Sequence, residues 1–518
     1  MLRTSSVSKR APLALIRRAT TQRRFVATLD TTAKKEGDIS SVFRSLSGGD
    51  DEALPQRFAD VKRSLIKDKG ALHASWTRLL RQLRDETEVV RSKGSGCIPE
   101  IQFAELDNPP TDFSNEIRKR GVAVVRQVIP EREARAYKDE VEAYISANPA
   151  TKGTSGFIGT TTYADVAAFP PHDPQVYELY WSRPQLAARS HPNMLKTQQF
   201  LMSYYHSQDP IAQCSTRQPL TYADRLRVRT PGDAGFALGP HVDGGSVERW
   251  EKEGYGKGRV YDKIFEGRWE EFDPWELSTR LEAVQDLYNG AGACSMFRMF
   301  QAWLSMSHTG PREGTLLVNP LLSLSTAYYL LRPFFTPRLA PILSSDEVFQ
   351  SDYLDPSNWV LEDEPVSSAL QGAWPGHGLE LKPAWHPHLN LPHTMVHVPR
   401  IAPGDYVAWH CDTIHAVDKV HAGTGDSSVL YIPACPTTEI NLTYLKRQRQ
   451  SFLEGLPPSD FPGGQGESQH VGRPGLDALK AMTGTEGLSA MGFAPFDIPV
   501  DASEGEQKIL RRGNDVLG

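Results

Sequence analysis

Short β-like runs between Leu220 and Pro433 place the strongest constraint on how this chain can fold. Each run is rich in β-branched, aromatic or other apolar residues, and turn signals such as Pro-Gly-Asp and Ala-Pro-Gly-Asp lie between them. The predicted strands are Leu226–Arg229, Phe297–Met306, Thr315–Val318, Thr394–Val398, Tyr406–Trp409 and Val429–Ile432. Because the runs do not follow the strand–helix–strand order of a parallel sheet, they favour an antiparallel sandwich or jelly roll.

Helical patterns dominate the part of the chain that precedes these strands. Apolar residues recur at helical spacing from about Leu54 to Val90, and further helices are predicted at Phe113–Arg120, after Pro130 and through most of Gln175–His206. We expect these helices to pack against the sheet. The predicted fold class is therefore α+β, with a double-stranded β-helix (jelly roll, cupin-like) core buttressed by helices.

The layout predicts one elaborated domain with extensions at both ends. Residues 30–95 form a flexible lead-in and a helical N-terminal layer, 96–440 form the jelly-roll domain, and 441–518 form a C-terminal helix followed by a wrapping extension. Two long insertions, 246–289 and 321–392, are rich in Trp, Tyr and Pro. Insertions of this length in a compact domain are usually lids or substrate walls, and we expect that role here.

The first 29 residues have the composition of a mitochondrial transit peptide. They contain six Arg, one Lys and no acidic residue, and Arg23–Ala27 resembles a matrix-protease cleavage site. A basic disordered tail is the alternative. We expect a mitochondrial matrix protein, and otherwise a cytoplasmic one.

Charge and hydropathy exclude two classes of partner. Removal of residues 1–29 changes the formal net charge from -6 to about -13, which argues against nucleic acid as a partner. No apolar run reaches the roughly 18 residues of a membrane-spanning helix, so we expect no membrane partner. The five cysteines form no C-x-x-C pair and are expected to be reduced thiols.

Two segments carry the residues with the clearest chemistry. In Gly239–Gly245, His241 and Asp243 are two residues apart, so they point to the same face if they lie at a strand end. In Pro403–His415, a turn and a predicted strand lead to His415. Two imidazoles and one carboxylate form the facial triad of non-haem iron(II) oxygenases, which leaves three positions open for a bidentate keto acid and dioxygen.

A second H-x-D triplet, His410-Cys411-Asp412, is the alternative metal motif. It fits less well, because only about a hundred Gly/Pro-rich residues follow it to complete a barrel. His410 could also replace His415 as the distal ligand, or His415 could be an ordinary core histidine. We prefer His415, since it lies past a tight turn, and Asp412 then becomes a turn residue that orients an imidazole.

The motifs resemble a known family. Arg225–Asp233 followed by Gly239–Trp250 resembles the YbiU-like family, a domain-of-unknown-function group of oxygenase-like proteins. More distantly, Gln301–Ser305 with Arg312–Leu316, and the segment Gly404–His415, resemble phytanoyl-CoA dioxygenase-like enzymes. The resemblance covers about residues 100 to 440. It implies iron(II) ligands at His241, Asp243 and His415, and a keto-acid pocket lined by Trp303.

One departure from those dioxygenases concerns the cation that pairs with the far carboxylate of 2-oxoglutarate. They carry an Arg about eleven residues beyond the distal His, whereas the next Arg after His415 is Arg447. Arg225, Arg227 and Arg229 share one face of a predicted strand and are candidates for this role, with a solvated strand face as the alternative. We assign Arg225 and Arg229, with Trp303, to the cofactor site.

Three further residues near these motifs are weaker candidates. Strand parity places Arg298 on the face opposite Trp303, which argues against a role in the keto-acid pocket. Arg249 and Trp250 follow the first metal motif directly and are candidates for substrate binding.

The sequence favours an iron(II)- and 2-oxoglutarate-dependent dioxygenase that hydroxylates a small-molecule substrate with dioxygen. A zinc-dependent hydrolase with the same ligands is an alternative, although no glutamate stands out as its general base. A non-catalytic jelly-roll binding protein is the third interpretation. The substrate and the oligomeric state are left open by the sequence.

Overall fold

The computed structural model describes residues 34, 42–45, 53–151, 176–234, 238–291, 293–339 and 347–518. These residues belong to one compact unit, Lys34–Gly518. The predicted transit peptide and most of the predicted flexible lead-in lie outside the described residues. None of the helices within the described ranges is long and apolar enough to cross a bilayer.

Helices lie mainly before and after the central strands. They are α1 (Arg57–Leu65), α2 (Lys69–Lys93), α3 (Thr111–Arg120), α4 (Glu131–Ala147), α5 (Arg183–Ser190), α6 (Pro192–Met202), α7 (Asp262–Phe265), α8 (Leu322–Leu331), α9 (Glu347–Leu354), α10 (Leu391–Thr394), α11 (Glu439–Glu454), α12 (Leu476–Met482), α13 (Thr485–Ala490) and α14 (Glu504–Leu517).

The strands are short, as the frequent turn signals predict. They are β1 (Glu100–Gln102), β2 (Val122–Arg126), β3 (Val176–Tyr177), β4 (Ser215–Leu220), β5 (Leu226–Arg229), β6 (His241–Val242), β7 (Phe300–Ser305), β8 (Leu316–Val318), β9 (Phe335–Pro337), β10 (Trp359–Leu361), β11 (Leu379–Glu380), β12 (Val396–His397), β13 (Tyr406–His410), β14 (His415–Val417), β15 (Ser427–Tyr431) and β16 (Cys435–Thr437).

Two sheets form the centre of the molecule. The larger has seven strands in the order β1-β2-β13-β7-β15-β5-β3, and the smaller has five in the order β11-β6-β14-β8-β12. Every pairing in them is antiparallel except that of β1 with β2. All six predicted strands are present with shifted ends, apart from Leu226–Arg229, whose bounds match. The α+β class is confirmed.

The helical N-terminal layer is held by aromatic packing. Asp68 caps α2 by accepting a hydrogen bond from the N–H of Ala71 at 2.9 Å. On the buried side of α2, the Trp76 ring stacks on Tyr328 of α8 and on Phe335 of β9, with ring centroids 5.3 and 4.5 Å apart. Trp76 is fully buried, and truncation of such a residue to alanine costs about 3–5 kcal/mol. The layer therefore packs on the 321–392 insertion.

The two insertions differ in structure. Residues 246–289 form a series of short 3-10 turns and α7, with buried aromatic side chains. Residues 321–392 contain a longer helix, α8, and the short strand β11, which pairs with β6 in the smaller sheet. The second insertion is therefore part of the sheet.

The C-terminal region is more regular than a wrapping extension. The predicted helix after Thr438 is present as α11, but three more helices follow it. Ile509 and Leu510 of α14 are buried in one apolar cluster with Leu442 of α11. The amphipathic pattern of α14 is a signal that the Gly- and Pro-rich composition of the region obscures. All five cysteines are free thiols.

Candidate functional site

Two histidines face each other on adjoining strands of the smaller sheet. His241 on β6 is directly opposite His415 on β14, and their ring centroids are 4.1 Å apart. Asp243 follows β6, with its carboxylate oxygens 3.6 Å from His241 Nε2 and 4.0 Å from His415 Nε2. One candidate ligand atom from each residue lies within 4.8 Å of the others. We call these three residues the open triplet.

The hydrogen bonds of the two imidazoles leave the same nitrogen available in each. Nδ1 of His241 lies 2.7 Å from the carbonyl oxygen of Gly239, and Nδ1 of His415 lies 3.1 Å from that of Thr413. A carbonyl oxygen only accepts, so each Nδ1 carries the proton and donates. Each Nε2 is therefore the nitrogen left for a metal, and both lie on the side of Asp243, which is the arrangement that metal-binding histidines use.

The charge state of the open triplet also suits a divalent cation. Burial, with a further contribution from His241, lowers the pKa of His415 to about 3, so this imidazole is neutral near pH 7. Burial alone would raise the pKa of Asp243, but His415, His241 and Arg298 more than offset it and lower the pKa. Neutral imidazoles and an ionised carboxylate are the donor set that binds iron(II) or zinc.

A glycine pair makes the turn after Asp243 possible. Gly244 and Gly245 have φ angles of +78° and +88°, a region that favours glycine. A Cβ on Gly245 would lie 2.5 Å from the carbonyl oxygen of Gln285. The Gly-Gly sequence therefore allows the first insertion to approach the ligand turn closely.

The second H-x-D triplet has a different arrangement, although its ligand atoms also lie within 4.8 Å of one another. His410 Nε2 donates to the carbonyl oxygen of Pro274 at 3.0 Å, and its Nδ1 accepts from the N–H of Asp412 at 3.0 Å. The Asp412 carboxylate is bonded to Arg249 at 2.8 Å and to Arg280 at 2.5 Å. We call His410, Cys411 and Asp412 the closed triplet, because its imidazole and carboxylate already have protein partners.

A cavity of about 130 Å³ opens on the open triplet. Its wall includes side chains from both central sheets, among them Trp303 of β7, Trp409 of β13 and Leu316 of β8. A single water needs about 10–15 Å³ on the same measure, so the cavity can hold a small organic molecule beside the triplet. Trp303 lines this cavity, and its contact with a keto acid stays a prediction.

Three arginines line the cavity, and they are not the pair assigned from the sequence. Arg225, Arg227 and Arg298 line it, whereas Arg229 does not. Arg229, the last residue of β5, is fully buried and donates to Asp233 at 2.5 Å and to the Asp418 carbonyl at 2.7 Å. The assignment of Arg229 to the cofactor site is therefore wrong, because its guanidinium is used in local structure.

Arg298 lies close to the open triplet, although strand parity predicted that it would lie on the face opposite Trp303. β7 begins only at Phe300, so Arg298 precedes the regular strand and alternation does not apply to it. Its Nη2 lies 3.6 Å from a carboxylate oxygen of Asp243. Arg298 and Trp303 line the same cavity.

Arg249 and Trp250 do not line the cavity within the described residues. Arg249 is 1% exposed and bonds Asp412, and the indole N–H of Trp250 donates to the Leu330 carbonyl at 2.9 Å. The structure gives both residues partners inside the protein, so the hypothesis that they bind substrate is not supported by their positions.

Glu248 is a cavity residue that sequence reasoning missed. It is 2% exposed, and one carboxylate oxygen accepts from the N–H of Ser246 at 2.8 Å. Burial raises the pKa of Glu248 to about 7. In the described part of the chain no basic side chain forms an ion pair with it. The available signal in the sequence was the position of Glu248, five residues after Asp243. The direction in which its side chain points depends on the turn at Gly244 and Gly245.

The N-terminal lead-in also reaches the site. The Phe43 ring makes an edge-to-face contact with His241, with centroids 4.6 Å apart, and Val42 accepts a backbone hydrogen bond from Gly378 at 2.7 Å. Both residues line the cavity. The adjacent apolar pair Val42-Phe43, in a segment otherwise rich in Ser and Gly, was the available signal.

Comparison with known proteins finds one matching family model and a bacterial relative of similar sequence. The model of the Gig2-like family matches residues 52–493. The uncharacterized protein YbiU of Escherichia coli (strain K12) is 29% identical over 432 residues, which span 80% of this chain and 93% of that protein.

Two solved structures are similar over most of the chain. GlcNAc Inducible Gene 2 (GIG2, DUF1479) from Candida albicans is 30% identical, with a TM-score of 0.76 and coverage of 90% of this chain and 95% of that one. A Salmonella typhimurium LT2 protein, named as a candidate oxidoreductase, is 28% identical, with a TM-score of 0.69 and coverage of 85% and 99%. The resemblance to the YbiU-like family is confirmed.

Proposed function

This chain belongs to the Gig2-like family, and we propose that it is a non-haem iron(II)- and 2-oxoglutarate-dependent oxygenase of a small-molecule substrate. The observation that carries the proposal is the open triplet: two imidazoles that each use Nδ1 for a backbone carbonyl, so that both Nε2 atoms, with one ionised carboxylate, are left for a metal beside a cavity. A facial set of three protein ligands leaves three metal positions for a keto acid and dioxygen. The oxidoreductase name of the Salmonella relative agrees with this class.

We extend the proposal to the fold of the core. The open triplet belongs to the smaller sheet, whereas Trp303, Trp409 and Arg227 of the cavity wall belong to the larger one. A small-molecule cavity between two antiparallel sheets is the arrangement of a double-stranded β-helix. In this proposal, each of the two sheets forms one half of the double-stranded β-helix.

Arg227 is our candidate for the cation that pairs with the far carboxylate of the keto acid. β15 itself, Ser427–Tyr431, has no basic residue. Arg227 lies directly opposite Val429 on the neighbouring strand β5, so both side chains point to the same face of the sheet. Arg227 lines the cavity and is 3% exposed. Arginine pairs with carboxylates bidentately, and burial strengthens such a pair.

The residues of the chain have separate tasks in this mechanism. The open triplet would hold the metal, and the Trp303 and Trp409 side chains of the cavity wall exclude water from it. Arg298 stabilises the ionised form of Asp243, the ligand it approaches. When bound, iron(II) with 2-oxoglutarate and dioxygen supplies the oxidant for an unactivated C–H bond, with succinate and carbon dioxide as coproducts.

A specific observation favours a zinc-dependent hydrolase as the second candidate. Such an enzyme needs a general base near the metal-bound water, and Glu248 lines the cavity. A pKa near 7 suits a general base, because the group is then partly ionised at neutral pH. Glu248 supplies the glutamate that the sequence alone does not identify.

Anaerobic calorimetric titration of 2-oxoglutarate into the iron(II)-loaded protein tests the oxygenase proposal. We expect binding that requires the metal and disappears in the His241→Ala variant. If the loaded wild type does not bind 2-oxoglutarate, the proposal is wrong. Hydrolysis of a panel of esters and amides by the zinc-loaded protein, compared with Glu248→Gln, then separates a hydrolase from a non-catalytic binding protein.

A further inference from the structure

Asp412 of the closed triplet is the centre of a buried ionic cluster that also includes Arg249, Arg280 and Tyr261. The Asp412 side chain is completely buried, and it accepts hydrogen bonds from Arg249 at 2.8 Å, Arg280 at 2.5 Å and the Tyr261 hydroxyl at 2.8 Å. Both arginines and the tyrosine come from the 246–289 insertion. One carboxylate therefore joins that insertion to the end of β13.

The same cluster reaches the chain segment that carries the ligand Asp243. The second amino group of Arg249 donates to the backbone carbonyl of Asp243 at 2.7 Å. The hydroxyl of Tyr255 donates to the carbonyl of Gly244 at 2.5 Å, and the Arg249 guanidinium lies 5.0 Å from the centre of the Tyr255 ring. Two successive peptide groups after the ligand are thereby fixed.

The cluster is also connected to the segment that carries His415. Asp412 begins the turn that leads to this ligand, and its N–H donates to His410 at 3.0 Å. The next residue, Thr413, provides the carbonyl that accepts from Nδ1 of His415 at 3.1 Å. Displacement of the Asp412 side chain would therefore move the group that orients the His415 imidazole.

From these contacts we infer that Asp412 is a positioning residue that sets the separation of the two ligand-bearing segments, and so the affinity and geometry of the metal site. The inference rests on the proposed metal centre. Asp412 contacts neither of the two ligand imidazoles. It acts through Arg249 on the segment of Asp243 and through Thr413 on the segment of His415.

The energetics of buried ion pairs support a positioning role over a purely stabilising one. Desolvation of two arginines and a carboxylate offsets much of their mutual attraction, so apolar residues of similar volume are often equally stable in such places. Hydrogen-bonding partners behind metal ligands, in contrast, typically change metal affinity by about 10- to 100-fold. On one segment the cluster adjoins such a partner, the Thr413 carbonyl that accepts from His415, and on the other it bonds the backbone carbonyl of the ligand Asp243.

The test is an anaerobic titration of Co(II) into the metal-free full-length protein, followed by visible absorption. Co(II) reports affinity and coordination geometry without turnover. The test variant is Asp412→Asn. Its matched control is Asp405→Asn, at the other end of β13, where a buried aspartate is bonded to Arg126 at 2.6 Å and to the N–H of Gln127 at 2.9 Å. Urea unfolding of the metal-free proteins measures the stability lost by each variant.

We expect Asp412→Asn to weaken Co(II) binding at least tenfold and to shift the visible spectrum, while Asp405→Asn leaves affinity within about twofold at a comparable loss of stability. Wild-type affinity and spectrum in a folded Asp412→Asn protein would overturn the inference. Equal weakening by both variants would overturn it as well, since a general loss of stability would then be the cause.

A milder pair of variants decides the question if Asp412→Asn does not fold. Tyr261→Phe removes only the hydroxyl that donates to Asp412 at 2.8 Å, and Tyr406→Phe removes a buried hydroxyl bonded to the Ile432 carbonyl. We expect several-fold weaker Co(II) binding for Tyr261→Phe alone, and equal affinities would overturn the inference. A wild type that binds no Co(II) would overturn the proposed function and this inference together, whereas wild-type binding with unaffected variants overturns this inference alone.

Discussion

The open and closed triplets contain similar metal-binding groups at the same H-x-D spacing, but they differ in what those groups already bind. In the open triplet each histidine uses one ring nitrogen for a backbone carbonyl and keeps the other for the cavity. In the closed triplet both ring nitrogens of His410 have protein partners, and two arginines bond Asp412. The comparison teaches that available lone pairs, more than residue type or spacing, distinguish a metal site from a structural cluster.

Position in the fold explains the difference. The open triplet lies at strand ends in the smaller sheet, where the glycine turn brings Asp243 to the cavity. The closed triplet begins at His410, the last residue of β13, and is covered by the 246–289 insertion, which supplies Arg249, Arg280 and Pro274 as partners. A sequence motif does not encode this covering, because the partners are more than a hundred residues away.

The largest expected effect separates the triplets by metal affinity. His241→Ala should weaken binding of Co(II) or iron(II) by more than about a hundredfold, since it removes a ligand. His410→Asn should leave affinity within about threefold and lower the free energy of unfolding by about 1–3 kcal/mol, because a buried hydrogen bond to Pro274 is lost. Calorimetry and urea unfolding measure the two quantities. Strong metal binding retained by His241→Ala would contradict the assignment.

The second prediction compares two arginines of β5, one that lines the cavity and one that does not. Arg227→Met should weaken 2-oxoglutarate binding to the iron(II)-loaded protein by roughly 10- to 100-fold, because a charge-assisted pair with a carboxylate is lost. Arg229→Met should lower stability and leave 2-oxoglutarate affinity nearly unchanged, because Arg229 bonds Asp233 outside the cavity wall. Similar affinities for both variants would show that the keto acid is anchored elsewhere.

Acid sensitivity tests the burial of the closed triplet. Burial lowers the pKa of His410 to about 3, whereas a histidine in the unfolded chain has a pKa near 6.5. The stability that the neutral imidazole contributes is therefore present above about pH 6.5 and is lost as pH falls toward 3, by up to about 1.4 kcal/mol per pH unit. We expect His410→Asn to lose less stability than the wild type between pH 7 and 4.5 in urea unfolding. Parallel pH profiles would contradict the assignment of a buried neutral imidazole.

The smallest effect concerns the central residue of the closed triplet. The Cys411 thiol makes weak sulfur contacts with Arg280 at 3.5 Å, Tyr205 at 3.7 Å and His410 Nδ1 at 3.8 Å, and burial raises its pKa. Cys411→Ala should therefore leave Co(II) affinity within about twofold and cost no more than about 1 kcal/mol. Thiol labelling of the folded protein should be slow at this position. Rapid labelling, or a marked loss of metal affinity, would show that the triplet is not closed.

Much of the fold was predictable because local signals determine it. The turn residues and alternating runs located all six predicted strands, apolar residues at helical spacing located α2, and the helix predicted at the start of the C-terminal region is α11. Prediction failed where tertiary contacts decide. The additional C-terminal helices are held by packing against Leu442 and its neighbours, and β11 forms because it pairs with the strand of His241.

The site shows the same division between local and tertiary information. The H-x-D spacing nominated His241 and Asp243 but equally His410 and Asp412, and the chain length left to complete a barrel favoured the first pair. The structure brings His415 to His241 and Asp243. The arginines were not predictable to the same degree, because strand parity cannot show that β7 starts after Arg298 or that Arg229 turns to Asp233. Glu248 and Phe43 reach the cavity through loop geometry that periodicity does not describe.

The pairing of β11 with β6 has a consequence for self-association. The 321–392 insertion places β11 at the border of the smaller sheet, so the strand that bears His241 has neighbours on both sides. Without the insertion, the backbone N–H and C=O groups of that strand would lie at an uncovered sheet margin, where strands of other chains readily add. An insertion that resembles a substrate wall in sequence therefore also protects the ligand strand from intermolecular β-pairing.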